Sequence, residues 1–369
     1  EHIYSGTMES AVPAPSPSPA PSPSPSPSPS PASSSDSPSS RPLSLHQILR
    51  LHCRETLLVH PIKWTNRHVE LLNCSFAEPR RPRPRAAPLN PPYSDRRAAS
   101  LARNLATTTW SQAWRRSRLE DLIAFENGPL VPTYDGFDFY YRQRSIDRLG
   151  RRPSLCFSLR TREDARPLPI AVWTDCQLVD HLRMDAVGIW RAHSALVPLI
   201  MLQYKAITPP DRVRDPYILG LLIAVAQGRR RSQGQGRERA SRCTFRSHVI
   251  LTDSQDTERL HVFTADIPSA FLDRFDFPTL VPSASVGFSI RHLIVRYKPY
   301  RTLSTRLLAL IVPDSYLSPE KGDEKERDHG EDARDATTAL TPGLMDELAD
   351  QAVPDGRGVT SLDDAAQPS

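Results

Sequence analysis

The sequence predicts an α+β fold, a mainly antiparallel sheet packed on a buried helix and flanked by disordered tails. Three observations point there. The segment Ile218 to Ala226 is apolar on every side, so a helix built from it has no face to give to water. Phe245–Thr252 and Arg259–Thr264 are β-rich runs separated by the polar stretch Asp253-Ser-Gln-Asp-Thr-Glu258, the pattern of an antiparallel hairpin. The 37 prolines are segregated, with twelve in residues 13–42, six in 79–92 and five from Pro313 onward. The fourteen that remain are ordinary usage for a folded body.

The elements follow in order. Residues 1–42 form a Ser-Pro repeat that favours extended polyproline II and lacks the side chains of a core. Ser44 to about Val59 reads as a helix, with Ser44 and Gln47 as a capping box. Leu45, Ile48, Leu49, Cys53 and Leu57 form its apolar stripe. With the short apolar run His68 to Phe76, it makes a helical segment over 43–77. A basic Pro/Arg-rich linker spans 78–97, and the α+β domain covers 98–313. Within it, 98–126 reads as one or two helices, Tyr134–Tyr141 as an aromatic loop or strand, and Leu155–Leu159 and Pro169–Trp173 as strands. Residues 180–207 are partly helical and interrupted by Pro198. Asp215 and Pro216 mark the N-cap and first position of the buried helix, and Gly228 marks its end. After the hairpin, Asp266 and Pro268 begin a short helix to about Phe275. Val286–Tyr297 is a strand, and Pro299–Ile311 an amphipathic helix. The tail 314–369 is acidic and mostly disordered, with Leu344–Ala352 its one helical candidate. No repeated βαβ pattern of a doubly wound fold is present.

The formal charge of +5 conceals an asymmetry. Residues 1–44 carry a net −2 and residues 315–369 a net −9, so the body between them carries +16. A basic body between acidic flanks suits an anionic partner, or tails that fold back and screen it. Only five of the 47 basic residues are Lys, a bias that a GC-rich genome also produces. The five cysteines, Cys53, Cys74, Cys156, Cys176 and Cys243, are widely spaced and form no CxxC. That usage argues for reduced thiols in an intracellular protein, nuclear or cytoplasmic. No secretory signal pattern opens the chain, and no apolar run reaches the ~20 residues that a membrane span needs.

His46, His52, Cys53, His60, His68 and Cys74 are zinc-ligand types, but they lack the paired spacing of zinc sites, so no metal is expected. Gly234-Gln-Gly236 follows a helix rather than a strand and is no nucleotide loop. The sequence asks for no cofactor. Asp175, Asp253, Asp256 and Glu258 are the carboxylates that a metal-dependent nuclease-like hydrolase would use near strand ends. The plainer reading makes the hairpin acids turn formers. The broadest signal is basic. Arg80, Arg81, Arg83 and Arg85 form one cluster and Arg229, Arg230 and Arg231 begin another. Flexible Arg-rich stretches neutralise phosphates without reading sequence, and they also resemble nuclear-import signals.

The stretches Ser247-His-Val-Ile-Leu-Thr-Asp-Ser-Gln-Asp-Thr-Glu-Arg-Leu-His261 through Asp273 and Arg296-Tyr-Lys-Pro-Tyr-Arg-Thr-Leu-Ser-Thr-Arg-Leu307, with Asp215-Pro-Tyr217 and its helix, resemble an uncharacterised protein family of filamentous ascomycete fungi. The resemblance spans about residues 150–312. It implies a source and a shared domain, but no activity and no catalytic residue. The expectation is therefore a binding or interaction module with a basic body, whose partner is nucleic acid or an acidic protein. The alternatives are the hydrolase built on the hairpin carboxylates and a structural or degenerate domain without catalysis.

Overall fold

In a computed structural model of the chain, the described residues are 42–83, 95–107, 111–134, 138–148, 154–160, 167–233 and 243–316. The Ser-Pro repeat, the acidic tail with Leu344–Ala352, and Gly234-Gln-Gly236 lie outside them. The fold is α+β, as the sequence predicts.

A seven-stranded sheet runs in the order β1 (Cys74–Phe76), β9 (Phe288–Arg296), β8 (Arg259–Pro268), β7 (Thr244–Thr252), β6 (Leu168–Asp175), β5 (Leu155–Leu159) and β2 (Leu130–Thr133). Only β1/β9 and β6/β7 pair in parallel, so the sheet is mainly antiparallel. A separate two-stranded ribbon joins β3 (Asp138–Tyr141) to β4 (Arg144–Arg148). The expected hairpin is the β7/β8 pair at the centre of the sheet.

Both faces of the sheet are covered, and alternate strand residues serve opposite sides. Val172, Val249, Leu251 and Phe263 face α7 (Pro216–Ser232) together with α1 (Leu45–Leu51), α2 (Asn66–Leu71), α5 (Cys176–Ala186) and α8 (Ser269–Asp276). Trp173, Ile250, Leu260 and Val262 face α3 (Asp95–Leu105), α4 (Gln112–Ile123) and α9 (Leu303–Ile311). The remaining helix, α6 (Val197–Ile207), buries none of its side chains. Burial on two faces explains why the central strands read as continuous apolar runs. The segment 43–77 does not stand apart. Leu45, Trp64, Val69 and Cys74 belong to the same core as α7, and β1 joins the sheet.

Several local expectations are corrected. The helix after Ser44 stops at Leu51, although the Ser44–Gln47 capping box is present. Pro198 does not interrupt a helix but sits in the first turn of α6, where its missing N–H costs nothing. Asp266 lies inside β8, and α8 begins after Pro268. Gly228 does not end α7, which continues to Ser232. A Cβ at Gly228 would come within 3.0 Å of Pro169 Cγ, so the glycine admits a neighbour rather than a turn. Just before it, Gln227 clips the β3/β4 ribbon to α7. Its Oε1 accepts the Tyr140 N–H and its Nε2 donates to the Tyr140 carbonyl, both at 2.9 Å.

Two buried ion pairs hold the layers. Arg183 on α5 donates to both oxygens of Asp215 at 2.7 Å, while Asp215 caps α7 through the Tyr217 N–H at 2.8 Å. On the other face, Arg115 of α4 donates to Asp175 Oδ2 at 2.7 Å. Asp175 ends β6 and caps α5 by accepting the Gln177 N–H at 3.0 Å. The Thr252 hydroxyl at the end of β7 donates to the same Oδ2 at 2.7 Å and accepts from Trp173 Nε1 at 3.1 Å.

Because Asn caps a helix as well as Asp, Asp175→Asn isolates the charge. It leaves the Arg115 guanidinium buried without its carboxylate, and we expect a loss of about 3–5 kcal/mol in urea unfolding. Adding Arg115→Met to that variant removes the stranded charge and should recover part of the loss. Equal losses in the single and double variants would show that the pair is not what matters there.

Candidate anion-binding site

The carboxylates expected for hydrolysis do not form an open constellation. Asp175 is fully buried, and both of its oxygens are engaged in the network just described. Asp253 accepts the Gln255 N–H at 3.0 Å. Asp256 accepts the N–H groups of Glu258 and Arg259 at 3.0 and 3.1 Å, and also pairs with Arg259 Nε at 2.6 Å. These are Asx-type contacts that shape the β7–β8 turn. Among the described residues, no group of three His, Cys, Asp or Glu is placed to hold a metal ion. The amino-terminal His/Cys set does local structural work. His60 Nδ1 accepts the Ile62 N–H at 3.1 Å, and His68 Nδ1 accepts the Thr65 N–H at 3.0 Å. Cys74, Cys156 and Cys176 are buried thiols, and Cys53 is an exposed one.

The two arginine clusters have different fates. Arg229–Arg231 form the last turns of α7 and are tied into the fold. Arg229 Nη1 donates to the Arg246 carbonyl at 3.0 Å. Arg230 pairs with Asp273 and Asp276 of α8. Arg231 stacks over the Tyr140 ring at 3.5 Å. Of these three, Arg230 is neutralised by acids of its own chain, whereas Arg229 and Arg231 are positioned by a carbonyl and a ring.

The first cluster behaves otherwise. Arg80 is held beside β9, where its N–H donates to the His292 carbonyl at 2.9 Å and its own carbonyl accepts the Ile294 N–H at 2.8 Å. The extended chain beyond it forms one wall of a groove of about 440 Å³, to which Arg81 and Arg83 contribute at two-residue spacing. The end of β9 supplies Ile294 and Arg296 at the same spacing, and Lys298 follows. From α9 come Arg306, Ala309 and Leu310, one helical face at i, i+3 and i+4. The turn before β8 adds Glu258, and the first residue of β8 adds Arg259. Arg85 lies outside the described residues.

Among the described residues, six cationic side chains thus surround one concavity whose lining includes one carboxylate, Glu258. Arg259 is offset by Asp256. Arg81, Arg83, Arg296 and Lys298 have no carboxylate partner among the described residues. Arg306 is fixed rather than neutralised: Nη1 donates to the Arg296 carbonyl at 2.7 Å, and Nη2 to those of Tyr297 and Pro299 at 3.1 Å. Burial lowers its pKa from the ordinary arginine value, the direction expected of a cation taken from water. Sequence reasoning found Arg81 and Arg83 but missed Arg259, Arg296, Lys298 and Arg306. The alternation Arg296-Tyr297-Lys298 at a strand end was the available signal, since it puts two cations on the side opposite a buried tyrosine.

Beneath the Arg80 segment, two histidines meet inside the sheet. His261 Nδ1 and His292 Nε2 lie 2.9 Å apart, and the His292 ring stacks on Phe263 with centroids 4.5 Å apart. Burial, then the neighbouring His261, pulls the His292 pKa down to about 4. His248 sits on the opposite face against Thr264 at 2.9 Å. Its burial, reinforced by Arg246, Arg291 and Arg229, lowers its pKa to about 3. No family model matches this chain, and no curated protein matches it either.

The buried histidines make the fold acid-sensitive. Both folded-state values lie below the unfolded value of about 6.5, so the unfolded chain takes up protons first as pH falls. The stability they confer is complete above pH ~6.5 and drains as pH drops toward the folded values. Between pH 7 and pH 5 each of His248 and His292 should remove about 2 kcal/mol. Denaturant midpoints measured across that window should fall steadily with pH. A flat profile would mean that the imidazoles are not held neutral.

Proposed function

We propose that this chain is a binding module that takes a phosphate-bearing anion in the groove between the Arg80–Arg83 segment, the end of β9 and α9. The observation that carries this reading is the concentration of six cationic side chains around one carboxylate in a single concavity. Phosphates are held by this kind of arrangement through charge and through guanidinium N–H forks. The hydrolase reading has less behind it, because Asp175 is buried in an ion pair and Asp253 and Asp256 shape a turn. Membership in the fungal group and an intracellular location, nuclear or cytoplasmic, belong to the same proposal. They draw on the sequence resemblance and on five widely spaced cysteines that form no CxxC. Among the described residues, no helix is long and apolar enough to cross a membrane.

Retention of the full chain on immobilised heparin tests the reading. Arg296→Glu with Lys298→Glu should elute at clearly lower salt than the parent chain. Arg54→Glu with Arg191→Glu changes net charge equally, but away from the groove, and should shift elution much less. Each anionic contact removed should also flatten the dependence of log K on log salt by about one. Equal shifts for the two double variants would reduce the effect to net charge and overturn the assignment of the groove.

A further inference from the structure

Resting on that anion-binding reading, we infer that the groove is shaped for a compact, multiply phosphorylated molecule without an aromatic base, of the inositol-polyphosphate kind, rather than for a nucleic-acid strand.

Charge reaches the groove from several directions. Arg81 and Arg83 approach from an extended segment, Arg296 and Lys298 from a strand end, and Arg306 from a helix on another side. Cations converging on one volume suit a ligand that carries charge around its whole perimeter. A strand presents its phosphates in file and needs a track of cations along an open face. The volume of about 440 Å³ lies in the range of small-ligand sites, roughly 300–1,000 Å³.

The lining makes a second, independent point. Its apolar members are Pro82, Ile294, Ala309 and Leu310, and none is aromatic. Proteins that bind single strands obtain about 1–3 kcal/mol per base by stacking on aromatic rings. Tyr297, the aromatic nearest in sequence, is fully buried beneath the strand. Among the described residues of the lining a base would find no ring to stack on, whereas a saturated ring or chain needs none.

The groups also differ in role. Arg306 has its N–H donors directed to three backbone carbonyls and to the Thr302 hydroxyl, so it acts as a fixed charge at the back of the groove. Arg81, Arg83 and Arg296 are exposed and keep their guanidinium forks for phosphate oxygens. Glu258 is exposed on the same lining, where its charge opposes any phosphate nearby. Removing that charge should strengthen binding, an effect that a damaged fold does not produce.

Titration calorimetry on the full chain at low salt provides the test, with inositol hexakisphosphate as the probe. We expect one site, weakened at least tenfold by Arg296→Glu with Lys298→Glu and tightened about threefold by Glu258→Gln. A 12-nucleotide single strand should bind at least tenfold more weakly than the inositol phosphate. Phosphatidylcholine vesicles carrying phosphatidylinositol 4,5-bisphosphate separate the two sources of the same chemistry. Groove-dependent capture assigns a lipid headgroup, and its absence beside binding of the free probe assigns a soluble phosphate; both support the inference. If the oligonucleotide binds in a groove-dependent way and the inositol phosphate does not, the ligand class is wrong while the anion-binding reading stands. If no anion responds to the groove variants, both fall.

Discussion

The contact between Arg115 and Asp175 ties four elements of the fold together. One carboxylate ends β6, caps α5, receives the Thr252 hydroxyl from β7 and neutralises a guanidinium from α4. A buried charge pair of this kind contributes little net stability over an apolar substitute, yet breaking it is costly. Its effect is positional. It fixes where α4 crosses the ends of the two parallel strands. From the far end of α4, the Leu122 carbonyl accepts the Ser304 hydroxyl of α9 at 2.7 Å. Helix α9 in turn carries Arg306 to the groove. A chain of directional contacts thus runs from the centre of the sheet to the cations at its edge.

Electrostatics then decides which part of the basic body is available to a partner. Several arginines away from the groove meet acids of their own chain. Arg246 and Arg291 share Asp266, Arg230 takes Asp273 and Asp276, Arg212 pairs with Asp180, and Arg214 with Glu78. Exposed pairs of this type add little stability, typically 0–1 kcal/mol. They do, however, cancel the local field. Arg81, Arg83, Arg296 and Lys298, which have no such partner among the described residues, gather beside β9 and the Arg80–Arg83 segment, where low-dielectric walls concentrate their potential.

Much of the fold was legible in the sequence because it rests on local signals. Asp215, Pro216 and the apolar run behind them define α7 without reference to the rest of the chain. Alternation and a polar turn define the β7/β8 hairpin in the same way. What was not legible depends on distant partners. Gly228 has the appearance of a helix stop until Pro169 is seen to press against it. Asp175 has the appearance of a strand-end catalytic acid until Arg115, sixty positions earlier, is found on it. The groove follows the same rule. Arg81 and Arg83 announce themselves as a cluster, but Arg259, Arg296 and Arg306 are separated in sequence and meet only because β8, β9 and α9 converge. Arg229–Arg231 err in the opposite sense, since a run of three arginines in sequence does not disclose the acids of α8 that await one of them.

The central claim is that anions engage this chain at the β9 edge and not across its basic surface at large. Amide hydrogen exchange of the full chain, with and without saturating inositol hexakisphosphate, tests it most directly. Slowed exchange is predicted only at residues 80–83, 258–259 and 294–310, with the tip of the β7–β8 turn and the Arg229–Arg231 turns unchanged. Protection centred on Arg229–Arg231, or spread evenly over the basic residues, would contradict it.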